Sequence, residues 1–223
     1  EYCFFQDAQA IRASFLIAGN PWVDFKSLVD YCWKNGVPVL YLPELPVSKK
    51  MDAVVVDVNG RPVIALTKKH KHESELLFLL AHEMGHIFYR HLELGQTLVD
   101  RKVNPQEDGT DTQESQANAF AIELLTGSEY TQYHSNGRRL TPIKLAKAAK
   151  ENSVERNVEP GHIVLNWAYT TENWPTAKAA LNILYSLPDW EQYIKSKLCS
   201  NTNEDDANED QLDYLYKLMN IEE

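Results

Sequence analysis

A strongly apolar segment at residues 76–88 carries two histidines and a glutamate, and it constrains the fold more than any other part of the chain. Its hydrophobic residues fall on nearly every side of a helix, which predicts a buried helix over about residues 73–92. Burying imidazole and carboxylate groups costs free energy unless partners satisfy them. We therefore expect the polar side chains of this helix to have a dedicated partner.

The three polar side chains form the pattern His-Glu-x-x-His, made by His82, Glu83 and His86. Positions four apart lie on one face of a helix, so both imidazoles can reach a single ion. Zinc lowers the pKa of a bound water to about 7, and a nearby carboxylate can then take its proton. The pattern predicts a Zn²⁺ site with His82 and His86 as metal ligands and Glu83 as catalytic general base. The alternative is a pair of hydrogen-bonded core histidines.

A catalytic zinc site with three protein ligands needs one more donor. The extension H-E-x-x-H-x-x-G-x-x-H would supply it, but Tyr89 and Leu92 occupy the required glycine and histidine positions. On a continuous helix His91 lies about 140° around the axis from His86. We therefore expect His91 to point away from the site, as a capping or surface histidine.

A better source of the third ligand is the next predicted helix, at about residues 111–127. Glu114 and Asn118 lie one turn apart on it, and its alanines would allow a close approach to another helix. We predict that Glu114 is the third zinc ligand and that Asn118 orients one of the imidazoles. Alternatively, Glu114 only stabilises the first turn of its helix, or Glu123 on the opposite side is the ligand.

Two motifs in these helices resemble the ImmA/IrrE family of bacterial metallopeptidases. That family carries H-E-x-G-H, found here at residues 82–86, and then E-x-x-A-N-x-F-A-x-x-L-L, found at residues 114–125. The similarity extends over about residues 20–126. It implies a zincin-like fold, a gluzincin-like zinc site, and cleavage of a helix-turn-helix transcriptional repressor in stress response or mobile-element control. Some members also carry a DNA-binding or sensor domain, for which we see no clear counterpart.

Short β-rich stretches precede the histidine-bearing helix. Residues 37–42 predict a strand at a sheet edge because they contain Pro38. Asn59-Gly60 between residues 53–58 and 62–67 predicts a β-hairpin. With helical patterns elsewhere, the chain is expected to be α+β, with a small antiparallel or mixed sheet packed on the His-Glu-x-x-His helix and a mostly helical C-terminal half.

Along the chain, helices are predicted both before and after the strands. Two precede the strands, at about residues 4–18 and 20–35, the second opened by Asn20-Pro21. Later helices open at prolines, and a last one covers about residues 212–219. The later opening positions are Thr141-Pro142, Pro160-Gly161, Pro175 and Pro188. The predicted division is an N-terminal helix (1–19), a zincin-like metallopeptidase core (20–127), a helical extension on that core (128–200), and an acidic linker with a short helix (201–223).

The composition of the chain limits which partners it is expected to bind and in which cellular compartment it is expected to lie. A net charge of −10 argues against a general nucleic-acid binder, and residues 163–174 lack the Lys or Arg of a recognition helix. Direct nucleic-acid binding is therefore not expected, although residues 141–168 have a helix-turn-helix-like pattern. Three cysteines without a C-x-x-C pair, no signal-peptide pattern and no membrane-length apolar run predict a cytoplasmic protein without a membrane partner.

Other side chains offer weaker signals. A tetrahedral intermediate needs an oxyanion donor besides the metal, and several polar residues downstream of the second helix are unranked candidates. The oxyanion candidates are Tyr133, His134, Arg138 and His162. Cys3 is either a thiolate that could occupy the open zinc position or a partly buried free cysteine.

Two function classes stay open, a metallopeptidase acting on a protein regulator and a zinc-stabilised sensor or interaction module without hydrolysis. Glu83 favours the first, because a purely structural site does not need it.

Overall fold

The computed structural model describes residues 2–43, 52–91, 97–99, 112–135, 137, 139–185, 189–202 and 208–220. Within these residues the chain forms a four-stranded mixed sheet and helices on both sides of it in sequence. This confirms the predicted α+β class with a mostly helical C-terminal half. The strands are β1 (Val39–Tyr41), β2 (Ala53–Val58), β3 (Arg61–Leu66) and β4 (Thr97–Val99).

The sheet has the order β1-β3-β2-β4, with β1 parallel to β3 and the other pairs antiparallel. The predicted hairpin is confirmed as β2 and β3, which pair from Val58 and Arg61 outward. Asn59 and Gly60 connect them with φ of 56° and 81°, the left-handed conformation that a type I′ turn requires at both positions. β1 lies at a sheet edge, as its proline predicted, because Pro38 has no N–H to donate.

Two helices precede the sheet, α1 (Ala8–Ile17) and α2 (Phe25–Lys34). The prediction that Asn20-Pro21 opens the second helix is wrong, because Asp24 is the N-cap and its Oδ1 accepts a hydrogen bond from the Ser27 N–H. Asn20 belongs instead to the end of α1, where its side chain donates to the Phe15 carbonyl. The chain between the two helices is thus a turn rather than a first helical turn.

The helix that carries His-Glu-x-x-His is α3 (Glu73–Phe88), and the next is α4 (Thr112–Thr126). Nearly all of α3 is buried, because α2, α4 and the sheet surround it. It ends four residues earlier than the sequence predicted. The first hydrophobic core of the protein is built around it by α1, α2, α4, the sheet and the helix α8 (Trp190–Asn201).

A second hydrophobic core is formed by three helices of the C-terminal half, of which the middle one packs on α3. Proline stands in the first turn of each, and the N-caps Thr141, Glu159 and Asn173 each accept a hydrogen bond from a backbone N–H. The predicted openings at Pro142, Pro160 and Pro175 are therefore confirmed. The three helices are α5 (Pro142–Arg156), α6 (Pro160–Thr171) and α7 (Trp174–Leu184).

The last two helices return to the first core. Trp190, at the start of α8, packs edge-on against Tyr41 of β1 with 4.8 Å between ring centroids. The final helix, α9 (Glu209–Leu218), begins three residues before the predicted start because Asn208 caps it. Pro188 lies outside the described residues, and the four-part division of the chain stays a prediction. None of the helices within the described residues is long and apolar enough to cross a bilayer.

Candidate metal centre

The close packing of α3 on α4 depends on a single glycine. A Cβ at Gly85 would lie 2.8 Å from the Cα of Ala117 and 3.0 Å from its carbonyl oxygen, closer than real Cβ atoms approach. Glycine at this position and alanine opposite therefore allow the two backbones to meet. This contact brings Glu114, one turn before Ala117 on α4, to the face of α3 that carries His82 and His86.

Three potential ligand atoms converge between the two helices. His82 Nε2 and His86 Nε2 are 3.0 Å apart. Glu114 Oε2 lies 3.2 Å from His82 Nε2, and Glu114 Oε1 lies 3.5 Å from His86 Nε2. His82 is 0% and His86 2% exposed, whereas Glu114 is partly open to solvent. The cluster thus has a buried imidazole wall and a carboxylate at its mouth.

The spacing of these atoms fits a zinc ion. In a tetrahedral site with bonds of about 2.0–2.2 Å, neighbouring ligand atoms are about 3.4 Å apart. The observed separations of 3.0, 3.2 and 3.5 Å lie close to that edge length. Two imidazoles and one carboxylate are also a donor set that catalytic zinc sites use, with a fourth position open.

The His82 ring is oriented by Asn118, one turn after Glu114 on α4. The Oδ1 of Asn118 lies 3.0 Å from His82 Nδ1. Since a carboxamide oxygen only accepts, Nδ1 must carry the proton, and the lone pair of Nε2 is directed at the cluster. This is the tautomer that a metal ligand needs, fixed by the kind of outer partner that zinc-bound histidines have.

His91 does not point away from the site, so that expectation is wrong. It assumed a helix through residue 92, but α3 ends at Phe88 and Arg90 adopts a left-handed φ of 57°. The His91 N–H then donates to the His86 carbonyl at 3.0 Å, a Schellman-type helix end. The reversal brings His91 Nδ1 to 2.9 Å from His86 Nδ1.

His91 connects His86 to Gln116 in a chain of hydrogen bonds. The Oε1 of Gln116 lies 3.0 Å from His91 Nε2 and accepts its proton. His91 Nδ1 is then an acceptor, so His86 donates from Nδ1 and keeps a lone pair on Nε2. His91 and Gln116 were both missed from the sequence. Helical spacing could not show them, because an arginine in the left-handed position carries none of the signal that a glycine would give.

In these neutral tautomers the three atoms that face one another are all acceptors, so the cluster requires a proton or another cation among them. A hydrogen bond from His82, in the form that carries a proton on Nε2, lowers the pKa of the Glu114 carboxyl more than desolvation raises it, so the carboxyl is ionised at neutral pH. Two lone pairs and a carboxylate at this distance repel unless a cation lies among them. Either a proton or a metal ion satisfies that requirement, and the geometry above fits zinc.

The remaining predicted residues lie at various distances from the cluster. Glu83 follows His82 on α3 and is 1% exposed. Glu123 accepts a hydrogen bond from Gln9 of α1 at 2.7 Å, on the side of α4 opposite the histidines. Cys3 is exposed and is not among the clustered residues.

Among the oxyanion candidates, His162 is connected to the cluster through an aromatic contact. Its ring stacks on Phe78, with centroids 6.0 Å apart, and Phe78 also contacts the His82 ring. Tyr133 is half-buried beneath the Arg156 guanidinium, and His134 is exposed. Arg138 lies outside the described residues.

A mixed sheet beside a His-Glu-x-x-His helix, with a carboxylate supplied by the next helix, is the arrangement of a zinc metallopeptidase-like protein. Residues 33–146 match the model of the peptidase M78 family, the IrrE N-terminal-like domain. Since this match covers just over half of the chain, the protein belongs to that family, and the resemblance seen in the sequence is confirmed. The matched range includes all of α3 and α4. No curated protein matches the chain.

Proposed function

We propose that this protein is a zinc-dependent metalloendopeptidase. His82, His86 and Glu114 hold the ion, and Glu83 is the general base. The observation that carries the proposal is the convergence of three potential ligand atoms at 3.0–3.5 Å beside a buried glutamate that such a site does not need for binding. Bound zinc supplies a Lewis acid that polarises the scissile carbonyl and makes water nucleophilic near neutral pH.

The protein's own residues divide the remaining work. Asn118 and the His91–Gln116 pair hold the imidazoles in the ligating tautomer, so the site is preorganised before substrate arrives. Glu83 takes the proton of the attacking water and passes it to the leaving amide nitrogen. Its burial in α3 keeps bulk water from competing for that proton.

We propose a helix-turn-helix transcriptional repressor as the substrate, in stress response or mobile-element control. Family membership supports this choice through the resemblance described above. Charge supports it independently, since a protein of net charge −10 attracts the basic face that a DNA-binding repressor presents. The basic face with which the repressor binds DNA would then also be the face that binds this protein.

The test is co-expression with the product of the neighbouring gene, followed by cleavage assays on the purified pair with and without a chelator. Glu83→Gln should keep zinc and lose at least about a hundredfold in cleavage rate, because only the base is removed. Glu123→Gln is the matched control, with the same change of charge outside the cluster, and should cleave normally. Wild-type cleavage by the Glu83 variant would refute the base assignment. A zinc-loaded wild type that cleaves no repressor would favour a zinc-stabilised sensor or interaction module.

A further inference from the structure

A cavity of about 520 Å³ opens beside the metal centre. On α3 its wall contains Phe78, one turn before His82, and on α4 it contains Ile122, one turn after Asn118. Residues one turn apart share a helix face, so the cavity continues the groove in which the metal ligands lie. The metal centre and the cavity are separated by about one helical turn, or about 5.4 Å.

One buried side chain in the cavity wall makes no hydrogen bond with its ring nitrogens within the described residues. His162, on α6, is 2% exposed and lines the cavity, yet neither of its ring nitrogens has a hydrogen-bond partner within the described part of the chain. Leaving a buried polar atom unpaired costs about 1–3 kcal/mol. Burial lowers the pKa of His162 to about 4, so the ring is neutral and offers one donor and one acceptor. A neutral hydrogen-bonding group that enters the cavity beside this ring would satisfy such an atom.

The rest of the wall offers aromatic surface and little net charge. Tyr169 and Trp174 line it with their rings edge-to-face at 4.7 Å, and Phe78 also lines it. Charged side chains of both signs also line it, and one pair is closed by Lys68 Nζ at 2.9 Å from Asp52 Oδ1. The cavity is therefore built for a flat side chain with a polar end, rather than for a charged one.

We propose that this cavity is a substrate side-chain pocket and that His162 is its specificity-determining residue, which selects tyrosine over phenylalanine. The inference rests on the proposed function, since the tyrosine belongs to a peptide whose scissile carbonyl lies at the metal centre. An extended peptide advances about 3.3–3.6 Å per residue, so the pocket receives a side chain within two residues of the cleaved bond. A site built to bond a hydroxyl rejects the analogue that lacks it, because its own polar atoms then stay unpaired.

Binding of small probes to the zinc-loaded full chain tests the pocket without any cleavage step. N-acetyltyrosinamide and N-acetylphenylalaninamide are titrated in parallel, with saturation-transfer NMR giving the dissociation constants. We expect the tyrosine probe to bind at least about tenfold more tightly. His162→Phe preserves the ring stack on Phe78 but removes both nitrogens, and it should abolish this preference. Ile122→Phe, which fills the cavity from α4, should weaken both probes while zinc affinity stays at the wild-type value.

Equal binding of the two probes, no binding of either, or a tyrosine preference that survives His162→Phe would each overturn the pocket assignment. If His162→Phe fails to fold, the Ile122 variant and the wild-type comparison still decide it. Zinc content and repressor cleavage are measured on the same preparations. A tyrosine preference without cleavage would contradict the proposed function and leave the pocket standing, whereas cleavage without the preference would do the reverse.

Discussion

Each imidazole of the metal centre is held by a different kind of partner. His82 donates to an amide oxygen on the same helix as Glu114, the proposed third ligand, whereas His86 donates to a second histidine that is hydrogen-bonded to Gln116. Outer partners of zinc-bound histidines typically contribute ten- to a hundredfold in affinity. His91 should therefore influence zinc binding although it is not a ligand.

His91→Phe keeps an aromatic ring at the end of α3 but removes the acceptor that fixes the His86 tautomer. We expect zinc affinity to fall by about tenfold or more, measured by competition with a chromophoric chelator. His134→Phe makes the same substitution at an exposed histidine and should bind zinc normally. Equal affinities in the two variants would show that the hydrogen bond from His86 to His91 does not orient the ligand.

Glu114 and Glu123 are the two carboxylates of α4 that compete for the role of third ligand. Glu114→Ala should weaken zinc binding by an order of magnitude or more, because it removes a direct donor 3.2 and 3.5 Å from the imidazole nitrogens. Glu123→Ala removes only a hydrogen bond to Gln9 and should leave the affinity unchanged. A chelator titration in which the Glu123 variant loses more affinity would reverse the assignment.

Two buried groups at the start of α6 have opposite effects on how the stability of the protein depends on pH. Burial raises the pKa of Glu159 from 4.5 to about 7, although it caps the His162 N–H and contacts the Tyr185 hydroxyl. Its share of stability is present below pH 4.5 and is lost as pH rises toward 7. Burial lowers the pKa of His162 from 6.5 to about 4, so its share is present above 6.5 and is lost as pH falls.

In the wild type, the pH-dependent contributions of these two groups to the free energy of unfolding should cancel. Replacing either group should make the contribution of the other visible. From pH 5 to pH 7, Glu159→Gln should gain about 2 kcal/mol of unfolding free energy relative to wild type, and His162→Phe should lose a similar amount. Urea denaturation at fixed zinc concentration measures both differences. Parallel pH profiles for all three proteins would mean that neither group is held in its neutral form.

At the level of elements, the contact of α3 with α4 decides whether a site exists. Alanine normally stabilises a helix over glycine by about 1 kcal/mol. At Gly85 the added Cβ would meet the Ala117 backbone at 2.8 Å, so the helices must separate. Gly85→Ala should therefore lower both the melting temperature and zinc affinity, measured by calorimetry and chelator competition. Ser115→Ala, on the exposed side of α4, is the control. A gain in stability at Gly85 would contradict this packing.

The sequence could predict those parts of the site that depend only on the spacing of residues along a helix. Glu114 and Asn118 share a face by spacing alone, so both could be proposed as neighbours of the histidines from periodicity. His91 could not, because its position depends on a helix end created by Arg90 in a left-handed conformation. Likewise Asn20 looks like a cap in isolation, but Asp24 bonds Ser27 and takes that role. Both side chains make local hydrogen bonds, to Ser27 and to Phe15, so residue type alone does not say which of them caps the next helix.

For the whole molecule, the arrangement of the two cores matters most. α3 lies between the sheet on one side and α6 on the other, where a Cβ at Gly161 would come within 2.6 Å of the Ser74 hydroxyl oxygen. The cavity beside the metal centre lies where α6 packs on α3, and α7, which packs on α6, completes part of its wall. The sequence predicted these helices individually. Which face of each would meet α3 depends on long-range packing, so His162 could not be ranked above the other oxyanion candidates.

The proposed chemistry depends on one zinc ion held by His82, His86 and Glu114. Elemental analysis of protein purified with zinc supplied and then dialysed measures this ion directly. We expect about one zinc per chain in wild type and in Glu83→Gln, and a loss of most of the metal in His86→Ala. Zinc at background in wild type, or one equivalent retained by His86→Ala, would contradict this expectation.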